Sequence, residues 1–303
     1  MLTELKQIVS GSCLLNEPMS RHTTYGIGGP ADAYVIPKDT DDLRTVLSYA
    51  RRMNIPTVFL GSGSNILVSD LGIRGIVISL KKEFSELVFD KNHVSVGAGV
   101  MLGKLVKEAA KHRLTGCENL IGIPGTVGGA IFMNAGAYGQ EISVHLTSLD
   151  IMNENGSVNT FSSESIKFEY RHTSLSPESI ILRAEFQFPA GDIETIQKNM
   201  KETGLKRKSS QPLNFRSSGS VFKNPDDVAA GYLIDKAGLK GTRSGNALIS
   251  EKHANFFVNT GNANAKDIIN LIHIARTSVK NKFDIDLELE ITLLGFNSEI
   301  ISA

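Results

Sequence analysis

Residues 55–70, which read IPTVFLGSGSNILVSD, place a loop of small residues directly after an apolar segment. Residues 55–60 have the composition of a β-strand, and residues 67–70 continue as short extended chain with no helical pattern. A dinucleotide-binding Rossmann turn needs a third glycine where Ile66 stands, followed at once by a helix. The sequence therefore excludes a classical nicotinamide site here, and no GxxxxGK[ST] phosphate loop occurs in the chain.

A loop such as GSGSN at residues 61–65 has two interpretations. Its backbone N–H groups can converge on an anion such as a pyrophosphate, because no Cβ atom blocks the approach. It can also be no more than a tight connection between two strands. Seventeen of the 28 glycines lie between Gly26 and Gly139, in several such runs. This clustering favours a large cofactor held by main chain.

The composition limits the class of protein. A chain of 303 residues is expected to form two or three subdomains. Its 32 basic and 32 acidic side chains cancel, which argues against a general nucleic-acid binder. Two cysteines, with no Cys/His spacing typical of a metal site, give neither a disulfide framework nor a metal centre. We expect a cytoplasmic protein, since the N-terminus has no export signal.

Residues 119–140 carry no charge, and this uncharged run is long enough to suggest a membrane span. Six glycines and a proline within them argue against a lipid-spanning helix, and we interpret them as buried backbone. Elsewhere the pattern predicts a strand–helix–strand unit with a helix over 38–53, antiparallel strands through the middle third, and a helix over 265–283. An alternating strand is expected over 287–295.

The cancelled net charge hides a local excess. Between residues 201 and 245 there are nine basic residues and four acidic ones. The run Lys206-Arg207-Lys208 can be a solvated basic face, or the region can meet the phosphates of a ligand.

Eight segments of the chain resemble the UDP-N-acetylenolpyruvoylglucosamine reductase family, and they occur in that family's order from about residue 20 to 295. They are residues 24–32 (TYGIGGPAD), 60–67 (LGSGSNIL), 123–130 (IPGTVGGA), 134–139 (NAGAYG), 170–174 (YRHTS), 219–225 (GSVFKNP), 230–235 (AGYLID) and 290–295 (EITLLG).

This resemblance implies an α+β protein with a FAD-binding fold of the p-cresol methylhydroxylase/vanillyl-alcohol oxidase type. The fold has two α/β subdomains and a C-terminal α+β substrate-binding domain. We expect FAD-binding subdomain 1 over residues 1–80, with the C-terminal strand of 286–303 returning to it. FAD-binding subdomain 2 is expected over 81–200, and the substrate-binding domain over 201–285.

The resemblance also implies the activity. NADPH reduces a non-covalently bound FAD, and the reduced flavin then reduces the enolpyruvyl group of UDP-N-acetylglucosamine-enolpyruvate to give UDP-N-acetylmuramate for peptidoglycan. Ser220 matches the family's proton donor, Arg171 its carboxylate-binding arginine, and Glu290 its C-terminal glutamate. Glu288, two residues earlier, is the competing candidate for that glutamate. The enzyme is expected to be a monomer that binds neither nucleic acid nor membrane.

Further residues match the family's binding segments. The expected substrate contacts are Lys223 and Asn224, which would meet the diphosphate. The expected cofactor contacts are Tyr25, Gly26, Gly28, Gly61, Ser62, Gly63, Ser64, Asn65, Pro124, Gly125, Thr126, Gly128, Gly129, Ala135 and Gly136.

Two features depart from the commonest family pattern. Many relatives show a proline and an alanine before the serine motif, whereas this chain reads LNFRSS over residues 213–218. The segment between Arg171 and Lys201 is short, which indicates the compact form of the family without an extra tyrosine-bearing loop. Two other functions stay open from the residues: a flavoprotein of the same fold acting on a different hydroxy acid or sugar, and a catalytically silent flavin or nucleotide sensor.

Overall fold

The structure is a computed structural model that describes residues 2–226 and 228–297. The last part of the expected C-terminal strand, residues 298–303, lies outside the described residues. The helices are α1 (Leu2–Ile8), α2 (Thr40–Arg52), α3 (Leu102–Lys111), α4 (Val127–Phe132), α5 (Ile193–Ser210), α6 (Ala230–Lys236) and α7 (Ala265–Phe283).

Short strands make up the sheets. They are β1 (Ser12–Pro18), β2 (Pro30–Ile36), β3 (Thr57–Leu60), β4 (Ile66–Val68), β5 (Ile73–Ser79), β6 (Leu87–Asp90), β7 (His93–Gly97), β8 (Gly136–Ala137), β9 (Gln140–Glu141), β10 (Leu146–Met152), β11 (Val158–Ser162), β12 (Phe168–Glu169), β13 (His172–Thr173), β14 (Ile180–Gln187), β15 (Arg243–Ser244), β16 (Ala247–Ile249), β17 (Phe257–Asn259) and β18 (Thr292–Leu294).

The chain folds into two compact units. The first comprises Met1–Leu15, Asp32–Ser62 and Gly75–Arg207, and the second comprises Asn16–Ala31, Gly63–Arg74 and Lys208–Ala303. Among the residues that the structure describes, buried apolar side chains form two cores in the first unit and one in the second. The finer division into three domains, with boundaries at 80, 200 and 285, stays a prediction.

One sheet of the first unit has the strand order β1-β2-β5-β3. β3 and β5 run parallel, with Leu60 opposite Ser79. Helix α2 begins after Asp39, whose carboxylate accepts hydrogen bonds from two N–H groups of the first turn. Its apolar face is buried in the core beneath this sheet. The expected strand–helix–strand unit is therefore confirmed.

The other sheet of the first unit has the order β11-β10-β14-β7-β6, and all neighbours are antiparallel. This confirms the antiparallel middle third. Helices α3 and α4 contribute buried residues to its core. Helix α4 lies within the uncharged run 119–140, and most of its residues are buried, as the sequence indicated for this run. No helix among the described residues is long and apolar enough to cross a membrane.

The second unit contains the antiparallel sheet β15-β16-β17, whose core is completed by α6 and α7. Asn264 begins α7 with a reciprocal capping box to Asp267. Strands β4 and β18 form a parallel pair. The expected strand over 287–295 is too long, since only Thr292–Leu294 are in it. The chain bends before it, where the N–H groups of Glu290 and Ile291 both point to the carbonyl of Val221.

Candidate functional site

Two of the expected cofactor segments meet in the first unit. A Cβ added to Gly61 would lie 2.5 Å from Thr126 Oγ1, so the loop after β3 rests directly on the residue that caps α4. Thr126 is buried, and its hydroxyl oxygen accepts a hydrogen bond from Gly129 N at 3.4 Å. Any side chain at Gly61 would separate these two segments.

The N–H groups at the start of α4 already have protein partners. Val127 N donates to Val100 O at 2.8 Å, and Gly128 N donates to Ala98 O at 3.0 Å. A Cβ on Gly128 would lie 2.8 Å from the Cβ of Ala98, so this glycine allows the helix to pack closely. A cofactor contact from Gly128 therefore has to use its carbonyl or its Cα, because its N–H is occupied.

Arg171 lies beside another expected cofactor segment. It occupies the two-residue turn between β12 and β13, with a left-handed φ of 55° that is uncommon for a residue other than glycine. Its half-buried side chain donates from Nη2 to the carbonyl of Gly136 at 3.0 Å and lies over the ring of Tyr170. The first unit thus brings the expected carboxylate-binding residue together with the 135–136 segment.

Asn134 begins that segment and is fully buried, with φ 41°. Its Nδ2 donates to Glu141 Oε2 at 2.9 Å and to the carbonyl of Glu169 at 3.0 Å. Because Glu169 opens the hairpin turn that carries Arg171, Asn134 links this turn to the 134–139 segment. Its Oδ1 has no hydrogen-bond partner among the described residues.

In the second unit the 24–26 segment is tied to the loop that starts at Gly63. Thr24 N donates to the carbonyl of Gly63 at 3.0 Å. The carbonyl of Tyr25 accepts from Asn259 Nδ2 at 2.9 Å. The Tyr25 ring is fully buried, and burial raises the pKa of its phenol well above the ordinary value. Its hydroxyl has no hydrogen-bond partner within the described part of the chain.

Ser220 and Glu290 lie next to each other in the second unit through Val221. Ser220 pairs with Phe256 in an isolated bridge, and Glu290 N donates to the carbonyl of Val221 at 2.8 Å. The carbonyl of Glu290 accepts from Asn65 Nδ2 at 3.0 Å. Two expected catalytic residues and the expected cofactor residue Asn65 are therefore on directly hydrogen-bonded segments.

Glu288 and Lys223 form an ion pair, with Lys223 Nζ at 2.5 Å from Glu288 Oε1. The Glu288 side chain is 72% exposed, whereas Glu290 is half-buried. Asn224 Oδ1 accepts a hydrogen bond at 3.1 Å from the N–H of Ala230, the first residue of α6. The two glutamates therefore differ in their contacts: the Glu288 side chain pairs with an expected substrate contact, whereas the Glu290 N–H donates to the carbonyl of Val221, the residue after Ser220.

The sequence interpretation missed two buried asparagines. Asn255 fixes Phe222 through two side-chain hydrogen bonds, from Phe222 N at 2.9 Å and to Phe222 O at 2.8 Å. Asn259 donates from Nδ2 to the carbonyl of Tyr25 and from its backbone N–H to the carbonyl of Arg216, both at 2.9 Å. The only signal was their position in NFFVN, residues 255–259, where polar side chains flank an apolar strand.

Arg207 is a further residue without an assigned role. It is half-buried on α5, and its Nε would lie 3.1 Å from a Cβ on Gly122. Burial lowers the pKa of its guanidinium from the ordinary value. The expected solvated face of the Lys206-Arg207-Lys208 run is therefore not uniform, since its central member packs on a glycine loop.

Two family models match the chain. One is described as FAD binding domain and covers residues 31–162, and the other as UDP-N-acetylenolpyruvoylglucosamine reductase, C-terminal domain, and covers residues 211–294. Together they confirm the predicted fold class of a FAD-binding part followed by the C-terminal domain of this reductase family.

Curated relatives match over nearly the whole chain. The UDP-N-acetylenolpyruvoylglucosamine reductase of Syntrophus aciditrophicus is 44% identical over 96% of this chain and 95% of its own. The reductase of the same name from Bacillus subtilis is 39% identical over 98% of this chain and 99% of its own.

A solved structure agrees with these relatives. The crystal structure of UDP-N-acetylenolpyruvylglucosamine reductase (MurB) from Thermus caldophilus superposes with a TM-score of 0.81 at 37% identity, covering 94% of this chain and 98% of that one. The chain belongs to the UDP-N-acetylenolpyruvoylglucosamine reductase family.

Proposed function

We propose that the protein is a FAD-dependent oxidoreductase that reduces UDP-N-acetylglucosamine-enolpyruvate to UDP-N-acetylmuramate during peptidoglycan precursor synthesis, with NADPH as the electron donor. The observation that carries this proposal is the family relationship, since a relative named for this reductase activity is 44% identical over 96% of the chain. A FAD binding domain model over residues 31–162 supports the cofactor.

The glycine loops fit FAD on two observations. Gly61 must lack a Cβ because Thr126 occupies that space, which leaves main chain at the surface of the loop. The buried hydroxyl of Tyr25 lacks a hydrogen-bond partner among the described residues, and a ligand can supply one. The residues that would hold the cofactor are Tyr25, Gly26, Gly28, Gly61, Ser62, Gly63, Ser64, Asn65, Pro124, Gly125, Thr126, Gly128, Gly129, Ala135 and Gly136. FAD, when bound, supplies the hydride-transfer chemistry.

Arg171 binds the carboxylate of the substrate's enolpyruvyl group in this proposal. Addition of hydride to the terminal vinyl carbon moves negative charge toward that carboxylate, so a cation there stabilises the transition state. A guanidinium suits the task because its planar fork donates two parallel hydrogen bonds to one carboxylate. The bond to the carbonyl of Gly136 holds the side chain in place.

Ser220 supplies the proton. Its Oγ donates to the carbon next to the reduced one, which completes addition of a hydride and a proton across the double bond and leaves a lactyl ether. A serine hydroxyl is a weak acid, but a carbanion-like carbon is a strong base, so a positioned hydroxyl is sufficient. The family resemblance assigns Glu290 a role, together with Arg171, in stabilising the intermediate that forms when hydride is added. Lys223 and Asn224 bind the diphosphate of the substrate in this proposal.

The test follows the two half-reactions separately. Purified protein is expected to carry FAD and to bleach when NADPH is added without oxygen. Adding UDP-N-acetylglucosamine-enolpyruvate is then expected to restore the flavin absorbance and to yield a product two hydrogens heavier. Protein that takes up no FAD would contradict both flavin hypotheses, and a bleached flavin that this substrate fails to reoxidise would leave only a different flavoenzyme or a sensor.

The proposal also includes a cytoplasmic location and a monomeric state. The first rests on the two cysteines, Cys13 and Cys117, which are free and buried, as is usual for proteins of a reducing compartment. Light scattering on the purified protein tests the second, and a dimer mass would contradict it.

A further inference from the structure

Arg216 stands in the 213–218 loop, where the chain departs from the family's usual proline and alanine. Its carbonyl accepts a hydrogen bond from Asn259 N at 2.9 Å, and the two residues pair in an antiparallel bridge. Two residues later, Ser218 Oγ donates to the carbonyl of Ile66 at 3.0 Å. The backbone that carries Arg216 is therefore fixed to strand β17 and to β4.

The Arg216 guanidinium lies directly on Gly26. A Cβ added to Gly26 would be 2.2 Å from Nη1 and 3.0 Å from Cδ of Arg216, so the arginine uses the space that any other residue would fill. Gly26 has a left-handed φ of 65°, which further restricts the position to glycine. Asn259 fixes both partners, since it binds the carbonyl of Tyr25 as well as that of Arg216.

Arg216 is exposed, and no residue that the structure describes compensates its charge. Its side chain has no hydrogen-bond or ion-pair partner among residues 2–226 and 228–297. The expected cofactor residues of the second unit are Tyr25, Gly26, Gly28, Gly63, Ser64 and Asn65, and none is cationic. Arg216 therefore brings a positive charge onto Gly26, one of these residues.

We propose that Arg216 binds the diphosphate of FAD over Gly26, as an additional ionic anchor for the cofactor in this chain. A diphosphate carries the negative charge that would neutralise the Arg216 guanidinium. A guanidinium binds phosphate oxygens through two parallel hydrogen bonds. The small residues of the 24–26 and 63–65 segments allow close approach of backbone to the same group. This inference rests on the proposed FAD-dependent function, and a diphosphate of the nucleotide substrate is the competing source of the same chemistry.

The test measures FAD affinity of the holoenzyme by equilibrium dialysis. Arg216→Gln is expected to weaken FAD binding by about tenfold or more, the size of a lost charged hydrogen bond. The FAD affinity of Arg216→Lys should lie between those of the wild type and Arg216→Gln. Lysine keeps the positive charge but cannot donate two parallel hydrogen bonds from a planar guanidinium. Raising the salt concentration should weaken FAD binding less in Arg216→Gln than in the wild type, since the screened ion pair is gone.

Arg243→Gln is the matched control, because Arg243 is an exposed arginine of the same unit on β15. It should leave the FAD affinity unchanged. The second arm measures KM for the UDP-linked substrate and inhibition by UDP with FAD saturating, and both are expected to stay at wild-type values in Arg216→Gln.

Three results would overturn the assignment. Unchanged FAD affinity with a raised KM and weaker UDP inhibition would move Arg216 to the substrate diphosphate. Tighter FAD binding in Arg216→Gln would show that the guanidinium obstructs Gly26. Equal losses of FAD affinity in Arg216→Gln and Arg243→Gln would show that the effect comes only from the change in net charge. Wild-type protein that binds no FAD would instead defeat the proposed function itself.

Discussion

Ser220 owes its position to the residues that follow it. Val221 N donates to the carbonyl of Asn255 at 2.9 Å, and the Asn255 amide brackets Phe222 on both sides. Phe222 is fully buried and packs edge to face on Phe257. A hydroxyl on the residue before such a fixed segment loses little conformational freedom when it is used, which suits a proton donor.

Ser220→Ala separates the two half-reactions. Reduction of the flavin by NADPH should proceed near the wild-type rate, because no proton from Ser220 is needed there. Reoxidation by the enolpyruvyl substrate should slow by about 10²-fold or more, the usual scale for loss of a positioned general acid. Anaerobic stopped-flow spectroscopy measures both steps. Equal losses in the two steps would point to misfolding or to a binding role for Ser220.

Asn255→Leu tests the bracket around Phe222. The substitution leaves a buried N–H and a buried carbonyl without partners, so the free energy of unfolding should fall by about 2–4 kcal/mol. Asn159→Leu on the exposed strand β11 is the control and should change it by less than about 0.5 kcal/mol. Urea denaturation gives both values, and similar values for the two variants would contradict the role assigned to Asn255.

Among the secondary-structure elements, α4 shows why glycine content misleads. Residues 127–132 read VGGAIF, and two glycines in six residues give this segment a low intrinsic helix propensity. The helix forms because Thr126 caps it, because Val100 and Ala98 accept its first N–H groups, and because its apolar residues are buried. Val100, Ala98 and the residues that bury the apolar face of α4 are distant from it in sequence, so no local pattern could reveal them.

Two glycine-to-alanine substitutions should have opposite effects. Gly204 lies inside α5 with no atom within 4 Å of an added Cβ, so Gly204→Ala should stabilise the protein by about 0.5–1 kcal/mol. Gly128→Ala in α4 forces a methyl group to 2.8 Å from the Cβ of Ala98 and should destabilise it by about 1–3 kcal/mol. Thermal denaturation measures the two changes, and the same sign for both would refute the packing argument.

At the scale of the whole molecule, a buried carboxylate holds the ends of the uncharged run together in the first unit. Glu118 is 2% exposed. It accepts hydrogen bonds from the Thr115 hydroxyl, from Gly116 N at 2.7 Å and from Gln140 Nε2 at 3.3 Å. Burial by itself raises the pKa of Glu118, but these hydrogen bonds outweigh it and hold the pKa below 4.5. The ionised carboxylate of Glu118 therefore links the two ends of the 119–140 run.

This lowered pKa predicts a pH dependence of stability. A carboxyl group whose pKa is lower in the folded than in the unfolded state stabilises the fold above about pH 4.5, and that contribution is lost as the pH falls through the folded-state pKa. Glu118→Gln should therefore reduce the free energy of unfolding at pH 7 and flatten its decline below pH 4.5. Glu194→Gln, at an exposed site on α5, is the control. Parallel curves for wild type and Glu118→Gln would contradict the prediction.

The sequence by itself determined the local features: the loops of small residues, the helices over 38–53 and 265–283, and the family to which its motifs belong. Each depends on the conformational range or the side-chain chemistry of a few neighbouring residues, which sequence order fixes. Only the tertiary structure decided which groups are already occupied. It paired Glu288 with Lys223 and bonded the Glu290 N–H to the carbonyl of Val221. It also supplied acceptors for the first N–H groups of α4 and placed the Arg216 guanidinium against Gly26. Hydrogen-bond and ion-pair partners come from residues far apart in the chain, so they exist only once the chain is folded.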